Sequence, residues 1–168
     1  DDAETFIVAH IDGADDPTGE TVEVRWGDYK ATFEGVKKIY VQDAGNGNDV
    51  LDFRGVQVDV DINGGVGNDT IYLSDGSGSV VHGGAGNDIL IASSTPDATH
   101  VVLYGDEGND ILPAGSVAIE IHGGKGDDTI TGSPESDNPA TFGGLYGDEG
   151  AALITAGDGD DSAEGGAG

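Results

Sequence analysis

The sequence predicts an all-β solenoid, a rod of stacked coils, and three observations carry this prediction. Four near-identical segments follow the form GGxG(N/D)DxUx, with U aliphatic, and begin at Gly64, Gly83, Gly105 and Gly123; the third has Asp106 at the second place. The fourth-place glycines recur every 18 to 22 residues. Apolar residues recur at the eighth place and two residues before the first glycine of each motif. One turn and the strand that follows it cannot bury these apolar residues alone. The residues become buried when copies of this unit stack, so each motif contributes one coil.

The glycine–aspartate turn of each motif suits a hard cation. Glycines at the first, second and fourth places permit positive φ and leave main-chain carbonyl oxygens accessible. The sixth-place aspartate adds a carboxylate. Ligands that are all oxygen, several of them neutral, match calcium better than zinc or copper. The motif therefore predicts calcium sites in the turns.

Two ladders of apolar residues are expected to face each other in the core. One contains the eighth-place residues Ile71, Leu90, Leu112 and Ile130, and the other contains Ile62, Val81, Leu103 and Ile121. The neighbouring column contains Asn63, His82, Tyr104, His122 and Tyr146. We interpret it as a side-chain ladder on the surface and not as a catalytic or transition-metal site.

These tandem repeats resemble the RTX (repeats-in-toxin) family of hemolysin-type calcium-binding repeats over about residues 44 to 168. The resemblance implies a right-handed parallel β-roll, a β-helix solenoid in which each calcium lies between the turns of adjacent coils. The aspartates that it implies as ligands from both turns are Asp49, Asp69, Asp88, Asp110 and Asp128. The positions that it implies as carbonyl ligands are Gly45, Gly47, Gly64, Gly65, Val66, Gly67, Gly83, Gly84, Ala85, Gly86, Gly105, Asp106, Glu107, Gly108, Gly123, Gly124, Lys125 and Gly126. Five stacked turns imply at least four calcium ions.

Departures from the pattern define where the sites should weaken. The first copy has Ala44 in place of a glycine but keeps Asp49. A later copy has Ala152 where the aspartate belongs, so we expect the site between it and Asp128 to be weak or empty. After Gly150 the spacing falls to nine residues, which in the family moves the motif to the opposite edge. Asp161 would then begin a second column of ions, and we expect further repeats past the end of this sequence.

Composition supports a cation-dependent fold. The chain has 33 acidic and 6 basic residues and a net charge of −27, and from Val56 onward Lys125 is the one basic residue. A rod of that charge repels itself unless cations neutralise it, so we expect folding and calcium binding to be one event. The same charge excludes nucleic acid as a partner. The sequence has no cysteine and no stretch that would span a membrane.

Residues 1–43 differ from the repeats, and we interpret them as a β-rich N-terminal cap on the roll of residues 44–168. Strands are expected at Thr5–Ile11, Thr21–Trp26, Thr32–Val36 and Lys38–Val41, because β-branched and aromatic residues are frequent there. A separate binding module is the alternative for this segment.

The sequence contains no catalytic motif, so we predict that this chain is not an enzyme. Weak calcium sites that share ligands respond to the millimolar calcium outside cells. Together with the resemblance, this indicates a structural module of a larger bacterial protein, secreted or at the cell surface and exported by type I secretion. An adhesin, toxin or surface-layer protein is the expected parent. The alternative is an accessory module attached to an extracellular enzyme domain. The rest of the parent is an expected partner, and self-assembly or a cell-surface partner stays open.

Overall fold

The computed structural model describes residues 3–11, 19–93, 100–115, 119–132, 144–157 and 162–167. Within these residues the regular structure is β-strand. The strands are β1 (Thr5–His10), β2 (Glu20–Trp26), β3 (Tyr29–Val36), β4 (Lys38–Val41), β5 (Val50–Asp52), β6 (Asp59–Val66), β7 (Thr70–Tyr72), β8 (Val80–Ala85), β9 (Ile89–Ile91), β10 (Val101–Glu107), β11 (Ile111–Pro113), β12 (Ile119–His122), β13 (Thr129–Thr131), β14 (Leu145–Tyr146), β15 (Leu153–Thr155) and β16 (Ala163–Glu164).

From β4 onward the strands alternate between two parallel sheets. One sheet has the order β15-β13-β11-β9-β7-β5-β1-β2-β3, and the other has the order β16-β14-β12-β10-β8-β6-β4. Each pair such as β6 and β7 is therefore one coil, and the next coil lies beside it in both sheets. The predicted solenoid with one motif per coil is confirmed.

The core consists of the two predicted ladders. In one sheet Leu51 pairs with Ile71 and Ile71 with Leu90, and in the other Ile62 pairs with Val81 and Ile121 with Leu145. All these side chains are buried. Each fully buried aliphatic side chain contributes about 1.5 to 3 kcal/mol through the area that it removes from water. Every coil adds at least two such residues, and the coil of β6 and β7 adds four, namely Val60, Ile62, Ile71 and Leu73, so the core is continuous along the rod.

The surface column before the glycine pairs is a stack of rings. The ring centroids of His82 and Tyr104 are 4.5 Å apart, those of Tyr104 and His122 are 5.0 Å apart, and those of His122 and Tyr146 are 4.7 Å apart. His82 Nδ1 also lies 2.9 Å from the Asp106 carboxylate of the next coil. The predicted side-chain ladder is confirmed, and it connects neighbouring coils.

The N-terminal strands join the roll in two ways. β1 pairs in parallel with β5, and β2 and β3 continue that sheet in antiparallel order. β4 pairs with β6 in the other sheet. The four strands predicted in this segment are confirmed, and their ends differ slightly. The division at residue 43 stays a prediction.

Candidate metal centre

A column of five buried aspartates runs along one edge of the roll. This aspartate column consists of Asp49, Asp69, Asp88, Asp110 and Asp128, each at most 1% exposed. One carboxylate oxygen of each, Oδ1, accepts a hydrogen bond from main chain in the preceding layer. The Asp49 N–H donates to Asp69 over 2.8 Å, and the Asp69 N–H donates to Asp88 over 2.7 Å. The bonds from Asp88 to Asp110 and from Asp110 to Asp128 measure 2.7 and 2.9 Å. The five predicted carboxylates are thus brought together by the stacking of the coils.

The second carboxylate oxygen of each of these aspartates, Oδ2, is buried and has no hydrogen-bond partner in the described part of the chain. A buried polar atom without a partner is costly, and a buried charge without one is far more so. The same atom is orphaned in five successive coils, so chance packing is a poor explanation. A cation beside each Oδ2 satisfies all five.

The first-place glycines provide the space next to these orphaned oxygens. A Cβ on Gly64 would lie 2.6 Å from Asp69 Oδ2, and a Cβ on Gly83, Gly105 or Gly123 would lie closer still to the Oδ2 of its own motif. The Cβ position of Gly83 is also 2.8 Å from the carbonyl oxygen of Gly105 in the next coil. A carboxylate oxygen and a neutral carbonyl oxygen therefore converge beside a Cα without a side chain, which fits calcium.

The predicted carbonyl ligands have different roles in the structure. The third-place carbonyls of Val66, Ala85, Glu107 and Lys125 accept hydrogen bonds of 2.7 to 2.8 Å from fourth-place N–H groups of the preceding coil. At the fourth place, a Cβ on Gly67 would overlap the carbonyl of Gly47, and the same overlap recurs at each later coil up to Gly150. These two places hold the coils in contact, whereas the first-place carbonyls lie next to the aspartates.

The two predicted departures have different outcomes. The Ala152 Cβ lies beside Gly147, on the side where the other motifs place a carboxylate, so this turn keeps its shape without an acidic ligand. Asp161 lies outside the described residues, so the second column of ions stays a prediction. Among the described residues, no three His, Cys, Asp or Glu side chains are arranged so that they could hold a metal ion by themselves. Each motif from Asp49 to Asp128 supplies one buried carboxylate, and the carbonyl oxygens beside the first-place glycines are further candidate ligands.

Sequence reasoning missed a second column beside the aspartates. The fifth-place residues Asn48, Asn68, Asn87, Asn109 and Asp127 form it. The Asn68 N–H donates to the Asn48 side-chain oxygen over 2.7 Å, and the next three steps repeat the bond at the same length. The recurrence of asparagine at this place was the signal. Its side chain bonds to the following coil, while the neighbouring aspartate bonds to the preceding one.

Burial changes the acidity of the aspartate column. Removal from water raises the pKa of Asp110 to about 7 and the pKa of Asp88 to about 6, against an ordinary value of 3.8. Hydrogen bonds from the main chain oppose this change, and repulsion from neighbouring carboxylates adds to it. The pKa values of Asp69 and Asp128 are raised for the same first reason, which is burial. Ionised carboxylates are therefore unfavourable here unless a cation accompanies them.

Acidification of the calcium-free protein is expected to stabilise the roll. A carboxyl group whose pKa is raised by folding binds protons more tightly in the folded state. Protonated Asp88 and Asp110 therefore stabilise the folded state fully below pH 3.8. This stabilisation is lost as the pH rises through about 6 for Asp88 and about 7 for Asp110. Each unit of raised pKa corresponds to about 1.4 kcal/mol. Circular dichroism of chelator-treated protein should show strand signal that increases from pH 8 to pH 5. A signal that decreases over this range would contradict the assignment, and Asp110→Asn should weaken the dependence.

Comparison with known proteins agrees with this geometry. The profile of the family described as RTX calcium-binding nonapeptide repeat (4 copies) matches residues 61–80, 79–95, 100–116, 120–138 and 146–168, which is more than half of the chain. No curated protein and no solved structure matches the chain. None of the described residues belongs to a helix able to cross a membrane. RTX repeats bind calcium and are typical of exported bacterial proteins. The chain belongs to the family of RTX calcium-binding nonapeptide repeats.

Proposed function

We propose that this chain is a calcium-binding structural module of a larger secreted or cell-surface bacterial protein, and that it folds when it meets extracellular calcium. The parent is of the adhesin, toxin or surface-layer type. The observation that carries the proposal is the row of five buried Oδ2 atoms without partners. Four of these atoms lie beside the first-place glycine of their own motif, and at Gly64, Gly83 and Gly105 a carbonyl oxygen of the next coil lies at the same point.

The ions are proposed to lie between successive members of the aspartate column. Asp69 illustrates the arrangement, because its Oδ1 contacts the main chain of Asp49 while its Oδ2 faces Gly64 and the carbonyl of Gly83. Each aspartate therefore touches the layer on either side. Five aspartates define four intervals, so four ions is the proposed minimum.

Charge supports the dependence on calcium. The chain carries −27, and four calcium ions would cancel 8 of these charges at the residues that are buried together. Without the ions, the aspartates that hold the coils in register also repel one another. In cytoplasm with submicromolar calcium the chain would stay largely unfolded, which suits export before folding.

Calcium stoichiometry tests the proposal most directly. Isothermal titration of the chelator-stripped chain should give at least four calcium ions per chain. The chain offers a matched gain-of-site variant, because Ala152 occupies the aspartate place in a turn of unchanged shape. Ala152→Asp should add one ion, since it supplies the missing carboxylate next to Gly147 and in line with Asp128.

A second substitution controls for charge alone. Ala151→Asp adds the same charge at the neighbouring exposed position and should leave the stoichiometry unchanged. Fewer than four ions in the natural chain would contradict the proposed four intervals, and an equal gain from both variants would show that the aspartate column is not the binding site.

A further inference from the structure

Two asparagines of this chain are followed by glycine, namely Asn46 before Gly47 and Asn63 before Gly64. Both asparagines are exposed, and both lie within or directly before the first two motifs. Because glycine has no side chain, its nitrogen reaches the side chain of the preceding residue with little steric hindrance. The asparagines that are followed by aspartate are more hindered, and these are Asn48, Asn68, Asn87 and Asn109.

The reaction open to an asparagine–glycine pair is loss of the side-chain amide. The glycine nitrogen loses its proton to a base in the solvent and attacks the asparagine Cγ, so that a C–N bond forms and a five-membered succinimide ring closes. The Cγ–Nδ2 bond breaks, and ammonia leaves with a proton taken from water. Water then opens the ring at either carbonyl group. Cleavage of the Cγ–N bond gives aspartate, and cleavage between the main-chain carbonyl carbon and the nitrogen gives isoaspartate.

The attacking nitrogen of the first pair is held in a hydrogen bond between coils. The Gly47 N–H donates to the carbonyl oxygen of Val66 over 2.8 Å, and Asn46 is bridged to Val66 in parallel register. A nitrogen whose proton is bonded to the next coil cannot turn toward the asparagine side chain unless the two coils separate. The first pair is therefore protected where the coils are stacked.

The second pair is held by the coils on both sides. The carbonyl of Asn63 accepts a hydrogen bond of 3.0 Å from the Ala44 N–H of the preceding coil. Asn63 pairs with His82 of the following coil, and this register places the Gly64 N–H opposite the His82 carbonyl. The equivalent bond three coils further along, from the Gly123 N–H, measures 2.8 Å. The nitrogen of Gly64 is thus also unavailable for attack in the stacked roll.

We propose that Asn46 and Asn63 are deamidation sites that are open while the chain is without calcium and closed once calcium has stacked the coils. This inference rests on the proposed function, because it takes calcium to be the agent that folds the roll. A chain that meets calcium promptly keeps both asparagines. A chain kept at submicromolar calcium converts them progressively, so its isoaspartate content records the time that it has spent unfolded.

Isoaspartate at position 63 would alter a calcium site. It routes the main chain through Cβ and Cγ, which lengthens the backbone by one carbon, or about 1.5 Å. Gly64 follows directly, and the space beside its Cα is where Asp69 Oδ2 and the carbonyl oxygen of Gly83 converge. The added carbon displaces this glycine relative to both oxygens. A chain modified in this way should therefore bind calcium more weakly at this interval.

Ageing of the chain with calcium and with chelator tests the proposal. Both samples are kept at neutral pH, and peptide mapping by mass spectrometry follows each asparagine. With chelator, Asn46 and Asn63 should convert at least about tenfold faster than Asn68, which precedes an aspartate. With calcium, the same two residues should convert at least about tenfold more slowly than with chelator, because their reaction then requires the coils to open. Equal rates in the two samples would overturn the proposal.

Circular dichroism of the same samples separates this result from failure of the proposed function. If calcium restores the strand signal but protects neither asparagine, the proposed function stands and the deamidation sites are wrong. If calcium restores no strand signal, the proposed function fails, and the control of deamidation by calcium fails with it.

Variants at the two sites test the effect of the modification on calcium binding. The natural chain, aged with chelator, should need at least about threefold more calcium to fold than a fresh sample. The double variant Asn46→Gln, Asn63→Gln would have to close a six-membered ring, so the same ageing should leave its calcium midpoint unchanged. Asn63→Asp adds the charge without the extra carbon and should shift the midpoint less than ageing does. An equal shift in the aged double variant would place the damage elsewhere and refute the role of these two sites.

Discussion

Removal of calcium is expected to abolish most of the strand signal of this protein in circular dichroism at neutral pH. The reason is the aspartate column, where five buried carboxylates each leave one oxygen without a partner. The core is narrow, with a few buried aliphatic residues in each coil, and we expect it not to offset the burial of these unpaired charges. Addition of millimolar calcium to the chelated protein should restore the signal, because the ion supplies the missing partner and the folding energy together.

Magnesium is the control for this experiment. It prefers octahedral coordination at shorter distances and gives up its water reluctantly, so it should restore little of the strand signal. Spectra that are the same with calcium and with chelator would show that the roll folds without the ion. Equal recovery with magnesium would show that screening of the net charge, and not the aspartate column, controls folding.

Asp88→Asn is expected to raise the calcium concentration at the folding midpoint at least about tenfold. Asp88 lies in the middle of the aspartate column, with Oδ1 bonded to the Asp69 N–H and Oδ2 facing Gly83. The substitution keeps the size of the side chain but removes a negative charge shared by the two neighbouring intervals. Removal of one partner from a buried charged group typically costs about 3 to 5 kcal/mol, which exceeds the 1.4 kcal/mol that corresponds to tenfold.

Asp61→Asn is the matched control for the aspartate column. It removes the same charge from an outward-facing residue on β6, where Asp61 lies 3.6 Å from Lys38. Its effect on the calcium midpoint should be small, because exposed ion pairs contribute little. Calcium titrations followed by circular dichroism and by calorimetry would compare the two variants. If both shift the midpoint equally, the buried position of Asp88 has no special role in binding.

Much of the roll could be predicted because its residues repeat at fixed offsets. The apolar residues Ile71 and Leu90, at the same place in successive motifs, had to stack if the coils stack, and they do. Asp69 and Asp88 also share a place in successive motifs, and they lie in one column. In a solenoid each coil contacts only its neighbours. Residues at the same place in successive repeats are therefore predicted to contact one another in the folded protein.

Other features could not be predicted from the positions of residues within the repeated motif. Third-place carbonyls such as that of Ala85 accept hydrogen bonds between coils, and their predicted role as calcium ligands stays a prediction. Whether a carbonyl faces the next coil or the turn depends on the local twist of the backbone, which the residue types do not specify. The asparagine ladder was overlooked because Asn68 and Asn87 read as turn residues in isolation, and only the distance between coils reveals their bonds.

The sequence by itself determined the coil, its two core ladders and the aspartate column, because each follows from residues that recur along the chain. Only the tertiary structure decided how the N-terminal segment meets the roll. That segment has no repeat, so nothing in its sequence specifies that β1 extends one sheet while β4 begins the other. In the antiparallel β2–β3 hairpin that follows β1, Trp26 and Tyr29 stay exposed, whereas Val8 and Val22 on the same face are buried.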